Sequence, residues 1–206
     1  MNTAIFYDTE TTSLPLWNEP SEDPRQPHLV QLAACLVDLD TRETISSMDV
    51  TVRPDGWVIP DDVAAIHGIT TEHAKRVGIS ESLAVEMLLE LWTCAGLRIA
   101  HNESFDARII RIAMMRHGLE IGRDPDQWKA GKAHCTQILA TPILKLPPTQ
   151  RMIAAGRRHY KSANLGEAYR HFTGKELAGA HNAMVDVEAC KTVYFAIKGC
   201  ATEAAA

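Results

Sequence analysis

Apolar and polar positions change rhythm along this chain. Residues 3–8 (TAIFYD) form a short apolar run that closes on an acid, and 29–39 (LVQLAACLVDL) and 44–53 (TISSMDVTVR) are two further stretches of strand-forming composition. Three strands are predicted. The short polar link from Asp40 to Glu43 suits a hairpin, and Pro54 and Gly56 close the third strand. Three consecutive strands at the start predict a meander.

Beyond residue 60 the period becomes helical. Pro60, Asp61 and Asp62 open a short helix that stops near His67-Gly68, and Thr70 or Thr71 caps another short turn. Residues 80–95 carry apolar positions at helical spacing behind Ser80 as cap; Gly96 ends them, and 97–101 (LRIAH) reads as a fourth strand. Residues 103–117 are helical, with Phe105, Ile109, Ile112 and Ala113 on one face and Gly118 at the end. The stretch 134–144 fits a strand or a helix start, and 163–173 and 183–198 are helical. Strands first, then helices alternating with strands, predict an α/β mixed sheet with helices packed on it. Residues 145–161 contain Pro147-Pro148, five Lys/Arg and no acid, and read as a basic loop or insertion within one domain spanning 1–198. Residues 199–206, ending ATEAAA, read as a frayed tail.

A length of 206 residues is enough for one substantial core. No apolar run reaches membrane-spanning length, and the N-terminus (MNTAIFYDTE) lacks the basic region of a signal peptide, so a cytoplasmic protein without membrane contact is expected. The cysteines (Cys35, Cys94, Cys135, Cys190, Cys200) are odd in number and form no CxxC pair, which suits buried thiols in a reducing compartment. A net charge of −5 weighs against a protein that grips long duplex by phosphates alone. A nuclease with a carboxylate cluster carries such charge in its site, where bound cations offset it.

Asp8 and Glu10 stand two apart at the end of an apolar strand and project to the same side. Their repulsion calls for a divalent cation, although a D-x-E pair alone also fits a solvated strand end. Asp106 lies one turn into the helix after the fourth strand, at the edge of its apolar stripe, where an acid also suits the helix dipole. His181 stands at the mouth of the last helix, and Asp186 more than a turn inside it among Val185, Val187 and Ala189, where an unpaired charge is costly. A histidine at that place suits a general base near neutral pH, or a capping role. Together these make four hard oxygen ligands and one base. Without a nearby cysteine they suit two Mg²⁺ or Mn²⁺ ions about 3.5–4 Å apart for phosphodiester cleavage.

The segments FYDTETTSLP, IHGIT, AHNESFDARII and HNAMVDVEA resemble the motifs of the DnaQ-like (DEDDh) 3′→5′ exonucleases of the ribonuclease H-like superfamily. That family includes the DNA polymerase III proofreading subunit, oligoribonuclease and ribonuclease T. The motifs occur in the family's order over residues 1–198. The sister class has a tyrosine four residues before the last acid; here that position is Asn182, and His181 stands five before. The resemblance implies that Asp8, Glu10, Asp106 and Asp186 bind metal and that His181 deprotonates water. It implies that Thr9 and Thr11 lie beside the terminal 3′-OH, that Leu14 wedges against the terminal base, that Ile66 and His67 line its pocket, and that Asn102 and Phe105 flank the scissile end. It also implies a five-stranded mixed sheet with helices on both faces, its fifth strand near Ala133–Leu139.

The expected substrate is a nucleic acid with a free 3′ end, single-stranded DNA first and RNA as the alternative. A module docked on a polymerase or other replication or repair partner is the third reading, and a homodimer is open because several relatives are dimers. Lys145, Arg151, Arg157, Arg158 and Lys161 either receive phosphates or form a solvated loop. Trp17, Trp57, Trp92 and Trp128 are candidates for base stacking; Trp92 suits the core, and Trp17 is the best placed.

Overall fold

Ile5 and Tyr7 face one way from the first strand, Ala4 and Phe6 the other, and all four are fully buried. A strand covered on both sides must lie inside a sheet with a helix layer on each face. The computed structural model, which describes residues 2–119 and 125–203, has that arrangement. Its elements are β1 (Thr3–Thr11), β2 (Leu29–Asp38), β3 (Thr44–Thr51), α1 (Asp61–His67), α2 (Thr71–Val77), α3 (Glu81–Thr93), β4 (Leu97–Ala100), α4 (Glu103–His117), α5 (Pro125–Ala130), β5 (Ala133–Cys135), α6 (Thr136–Leu144), α7 (Gln150–Ala154), α8 (Leu165–Thr173) and α9 (Ala183–Glu203).

The sheet order is β3-β2-β1-β4-β5. β1 pairs antiparallel with β2 and parallel with β4, β2 pairs antiparallel with β3, and β4 pairs parallel with β5. The mixed sheet and its two helix layers are those of the ribonuclease H-like fold. On one face Ile5, Tyr7 and Leu32 pack with Val85 and Leu88 of α3 and with Ile109 and Ile112 of α4. On the other, Ala4, Phe6 and Ile99 pack with Ala183, Val187 and Tyr194 of α9, where Tyr194 meets Phe6 edge-on at 5.5 Å between ring centroids. Each large apolar side chain so buried stabilises the fold by roughly 1.5–3 kcal/mol. Among the described residues, no helix is long and apolar enough to cross a membrane.

Several boundaries differ from the sequence expectation. β1 does not stop at Asp8; it pairs with β2 as far as Thr11↔Leu29, so the two acids lie within the strand. The register shift between Glu10 and Thr11 falls beside them, and such bulges re-aim side chains. Val52, expected in the third strand, forms only an isolated bridge with Ile79. The fifth strand is three residues long because Thr136, fully buried, already begins α6. The basic segment 145–161 is not all loop: Thr149 caps the short helix α7 by accepting from the Met152 N–H. α9 continues to Glu203, past the expected end at 198, and residues 204–206 of the expected tail lie outside the described residues.

Glu81, at the start of α3, fixes the start of β2. Its carboxylate accepts from the Leu29 N–H at 2.9 Å and from Arg116 at 3.1 Å, and it contacts His28 and His117 at 3.2 and 2.8 Å. Burial alone would raise its pKa; His28, Arg116, the Leu29 N–H and His117 instead bring it down to about 2.

Candidate active site

Asp8 and Glu10 leave β1 on the side of Ala4 and Phe6, the side that α9 covers. Asp186 is therefore delivered to them by α9. It occupies the first turn of that helix, not a position more than a turn inside as its sequence spacing suggested. Its Oδ2 accepts from the backbone N–H of His181 at 3.1 Å, while its Oδ1 is buried without a partner among the described residues. Ligand atoms of Glu10, His181 and Asp186 all lie within 4.8 Å of one another.

Asp106 enters from α4. It is 2% exposed, fully inside and not at the edge of the apolar stripe as expected. Burial is tolerated because its Oδ1 accepts from the Thr9 backbone N–H at 3.1 Å and from the Thr9 hydroxyl at 2.8 Å. Thr9 points away from Asp8 and Glu10, so β1 serves the site from both faces.

These carboxyls are held above their ordinary range. Burial raises Asp8, and the charges of Asp106, Asp186 and Glu10 raise it further. Burial and then Asp186 lift Glu10 to about 7. Burial raises Asp106 against the lowering effect of the Thr9 hydrogen bonds. Burial raises Asp186 too, partly offset by the His181 N–H and by His181 itself. Such crowding is uncompensated negative charge, which a hard divalent cation relieves. The unpartnered buried Oδ1 of Asp186 and the close set of Glu10, His181 and Asp186 donors fit a metal by the same chemistry.

One cavity of about 440 Å³ is lined by all twelve residues nominated from the sequence: Asp8, Thr9, Glu10, Thr11, Leu14, Ile66, His67, Asn102, Phe105, Asp106, His181 and Asp186. Leu14 is 73% exposed at its rim. Asn102 and His181 both adopt left-handed backbone, φ 67° and 66°. That conformation costs a non-glycine residue on the order of 1–2 kcal/mol, and such strain gathers at functional sites.

Ser13, Val63 and His101 also line the cavity and were not anticipated. His101 follows the carboxyl end of β4, a placement that could have marked it. Its Nε2 donates to the Ala163 carbonyl at 3.0 Å and its Nδ1 lies 2.9 Å from the Thr136 hydroxyl; burial brings its pKa down to about 4.

Other nominations fare differently. Trp128 is fully buried between Tyr7 and Trp92 and presents no stacking surface. Trp57 stacks on His28, and Trp92 packs against the core. Trp17 is 55% exposed. Lys161 is paired with Glu167, whereas Lys145, Arg151, Arg157 and Arg158 are exposed.

A family model described as Exonuclease matches residues 5–194. The structure of Escherichia coli exonuclease I in complex with a dA16 oligonucleotide is similar, with a TM-score of 0.71 and 20% identity over 97% of this chain and 41% of that one. Exonuclease I from Methylocaldum szegediense gives a TM-score of 0.70 and 20% identity over 97% of this chain and 41% of that one. The zinc-bound complex of E. coli exonuclease I with single-stranded DNA gives 0.68 and 22% over 96% and 40%. At these identities the likeness is one of fold, and this chain spans about two fifths of the length of those proteins. No curated protein matches in sequence. The fold, the motif order and the family match agree: the chain belongs to the exonuclease family, with the motifs of its DnaQ-like DEDDh members and the ribonuclease H-like fold.

Proposed function

We propose that this chain removes nucleoside 5′-monophosphates one at a time from the 3′ end of single-stranded DNA. The observation that carries the reading is the meeting of Glu10, His181 and Asp186 within 4.8 Å in a cavity that also takes in Asp8 and Asp106. Exonuclease domains of this family use divalent metal ions; here Asp8, Glu10, Asp106 and Asp186 would hold two, Mg²⁺ with Mn²⁺ as substitute. When bound, such ions supply Lewis acidity for the attacking water and for the leaving oxygen.

The side chains divide the remaining work. His181 takes the proton of the attacking water, and the bond from phosphorus to the 3′-oxygen of the penultimate nucleotide breaks. Its left-handed backbone and the N–H bond to Asp186 aim the ring. The Thr9 hydroxyl is engaged with Asp106, so it positions that carboxylate, and its neighbour Thr11 lies nearer the 3′-OH. Leu14 wedges against the terminal base from the rim, and Ile66, Asn102 and Phe105 enclose it. His67 accepts the Ile69 N–H on Nδ1, so its hydrogen is on Nε2, which is buried without a partner and serves as a donor to the nucleotide.

Single-stranded DNA is favoured over RNA because the exonuclease I structures similar in fold hold DNA oligonucleotides. Digestion of 5′-labelled DNA and RNA oligonucleotides, single- and double-stranded, with Mg²⁺ or EDTA tests this. The expected result is a ladder shortening from the 3′ end of single-stranded DNA. Preferred digestion of RNA, or shortening from the 5′ end, would refute it.

A further inference from the structure

Beside the catalytic cavity lies a second one, of about 280 Å³. α4 divides them: Phe105 and Asp106 line the catalytic cavity, while Ala107, Arg108 and Arg111 line the second. The segment after β1 joins them along its length, because Leu14 lines the first and Trp17 the second. Three residues of extended chain span at most about 11 Å, the reach of one or two nucleotide steps.

The lining of this second cavity is basic in a chain of net charge −5. Arg98 is neutralised by Glu103, whose Oε1 accepts from its Nε at 3.0 Å and from the Tyr7 hydroxyl at 2.9 Å. Arg111 contacts Ser21 and Asp126. Arg108 donates to the Glu19 carbonyl and meets no acid, and neither does Lys129, among the described residues. The Nε atoms of Arg108 and Arg111 are buried without partners, so the protein leaves part of each guanidinium unsatisfied. A guanidinium is a fork of donors suited to phosphate. Trp17, the most exposed of the four tryptophans, lines the same cavity.

An exposed aromatic ring beside cations that lack acidic partners is the combination that binds single-stranded nucleic acid, the base stacking on the ring and the phosphate meeting the cations. We infer that this cavity is an upstream nucleotide subsite. Trp17 stacks the base two nucleotides before the terminal one, and Arg108 and Lys129 receive its phosphate. The inference rests on the exonuclease reading for its direction along the strand. It gives the enzyme a grip on chain length that the catalytic cavity alone does not provide.

The test compares a dinucleotide, which ends before the subsite, with a longer single-stranded DNA oligonucleotide. Trp17→Ala should lower kcat/KM on the longer substrate about tenfold, mainly through KM, and leave the dinucleotide unchanged. Trp17→Phe should restore most of the loss. The double variant Arg108→Ala, Lys129→Ala should reduce the salt slope of oligonucleotide binding by roughly 1–2. An unchanged rate on the longer substrate, or an equal loss on both, would overturn the subsite, the second because the effect would then act through the catalytic cavity. If the wild type cut neither substrate, the exonuclease reading would fail by itself. Fluorescence anisotropy of the oligonucleotide in EDTA would then decide the subsite: about tenfold weaker binding by Trp17→Ala sustains it, and equal affinity removes it.

Discussion

The backbone N–H of His181 donates to Oδ2 of Asp186 at 3.1 Å. The acid thereby holds the left-handed turn at His181 while its other oxygen stays buried without a partner. One carboxylate both aims the proposed base and offers a lone pair to metal. The two residues should fail in different ways. His181→Ala should lower the single-turnover rate by about 10²–10⁴-fold while Mg²⁺ and oligonucleotide binding persist. Asp186→Asn keeps an oxygen for the His181 N–H, so the fold should survive while Mg²⁺ affinity falls; calorimetric titration with Mg²⁺ checks it. Unchanged Mg²⁺ affinity in Asp186→Asn would remove Asp186 from the ligand set.

The crowded carboxyls make metal-free stability depend on pH. Glu10 titrates at about 7 in the folded chain against 4.5 unfolded, so between those values the folded state holds the more protons. Stability of the protein in EDTA should therefore fall as pH rises from about 4.5 to about 7. Asp8, Asp106 and Asp186 act in the same direction. Mg²⁺ at one hundred times its Kd should restore about 2.7 kcal/mol. Thermal melts across this pH range, with EDTA or Mg²⁺, read both effects; a melting temperature indifferent to Mg²⁺ would count against the site.

Glu81 has the opposite sign. Its pKa is about 2 in the folded chain against 4.5 unfolded, so its contribution is complete above 4.5 and lost as pH falls through 2. Glu81→Gln should destabilise by roughly 1–3 kcal/mol near neutral pH, because Arg116 and the Leu29 N–H lose a charged acceptor. The difference from wild type should shrink toward pH 2. Urea denaturation at several pH values measures it, and a constant difference would show that the carboxylate charge is not what stabilises.

Thr9→Val removes the hydroxyl that donates to Asp106 at 2.8 Å but keeps the backbone donor. The variant should fold, lose about 1 kcal/mol of stability, and bind metal more weakly because Asp106 is less firmly aimed. Wild-type metal affinity in a titration of Thr9→Val would show that the hydroxyl does not orient the carboxylate.

What could be read in the sequence follows the physics of each element. β2 is buried along nearly its whole length and announced itself as an apolar run that only Gln31 interrupts before Asp38. β1 was read too short because Thr9, Glu10 and Thr11 break the apolar run, although pairing with β2 carries the strand through them. The helices α5 and α7 have six and five residues, too few to display a helical period. The fold brings the twelve candidate residues to one cavity; Asp8, Glu10, Asp106, His181 and Asp186 were nominated by their chemistry, and the other seven by the family resemblance alone. The burial of Asp106 was not legible, since it depends on donors from Thr9, ninety-seven positions away. Trp128 was misplaced for a similar reason: its indole N–H donates to the Ala107 carbonyl, a partner only the fold supplies.

The most direct test of the central claim is release of nucleoside 5′-monophosphates from a single-stranded DNA oligonucleotide by the wild type and by Asp8→Ala and Asp186→Ala. Each variant should first be shown to be folded by circular dichroism. The wild type with Mg²⁺ should shorten the strand from its 3′ end, and there should be no shortening in EDTA or with either variant. Digestion by a folded Asp186→Ala variant at the wild-type rate would contradict it.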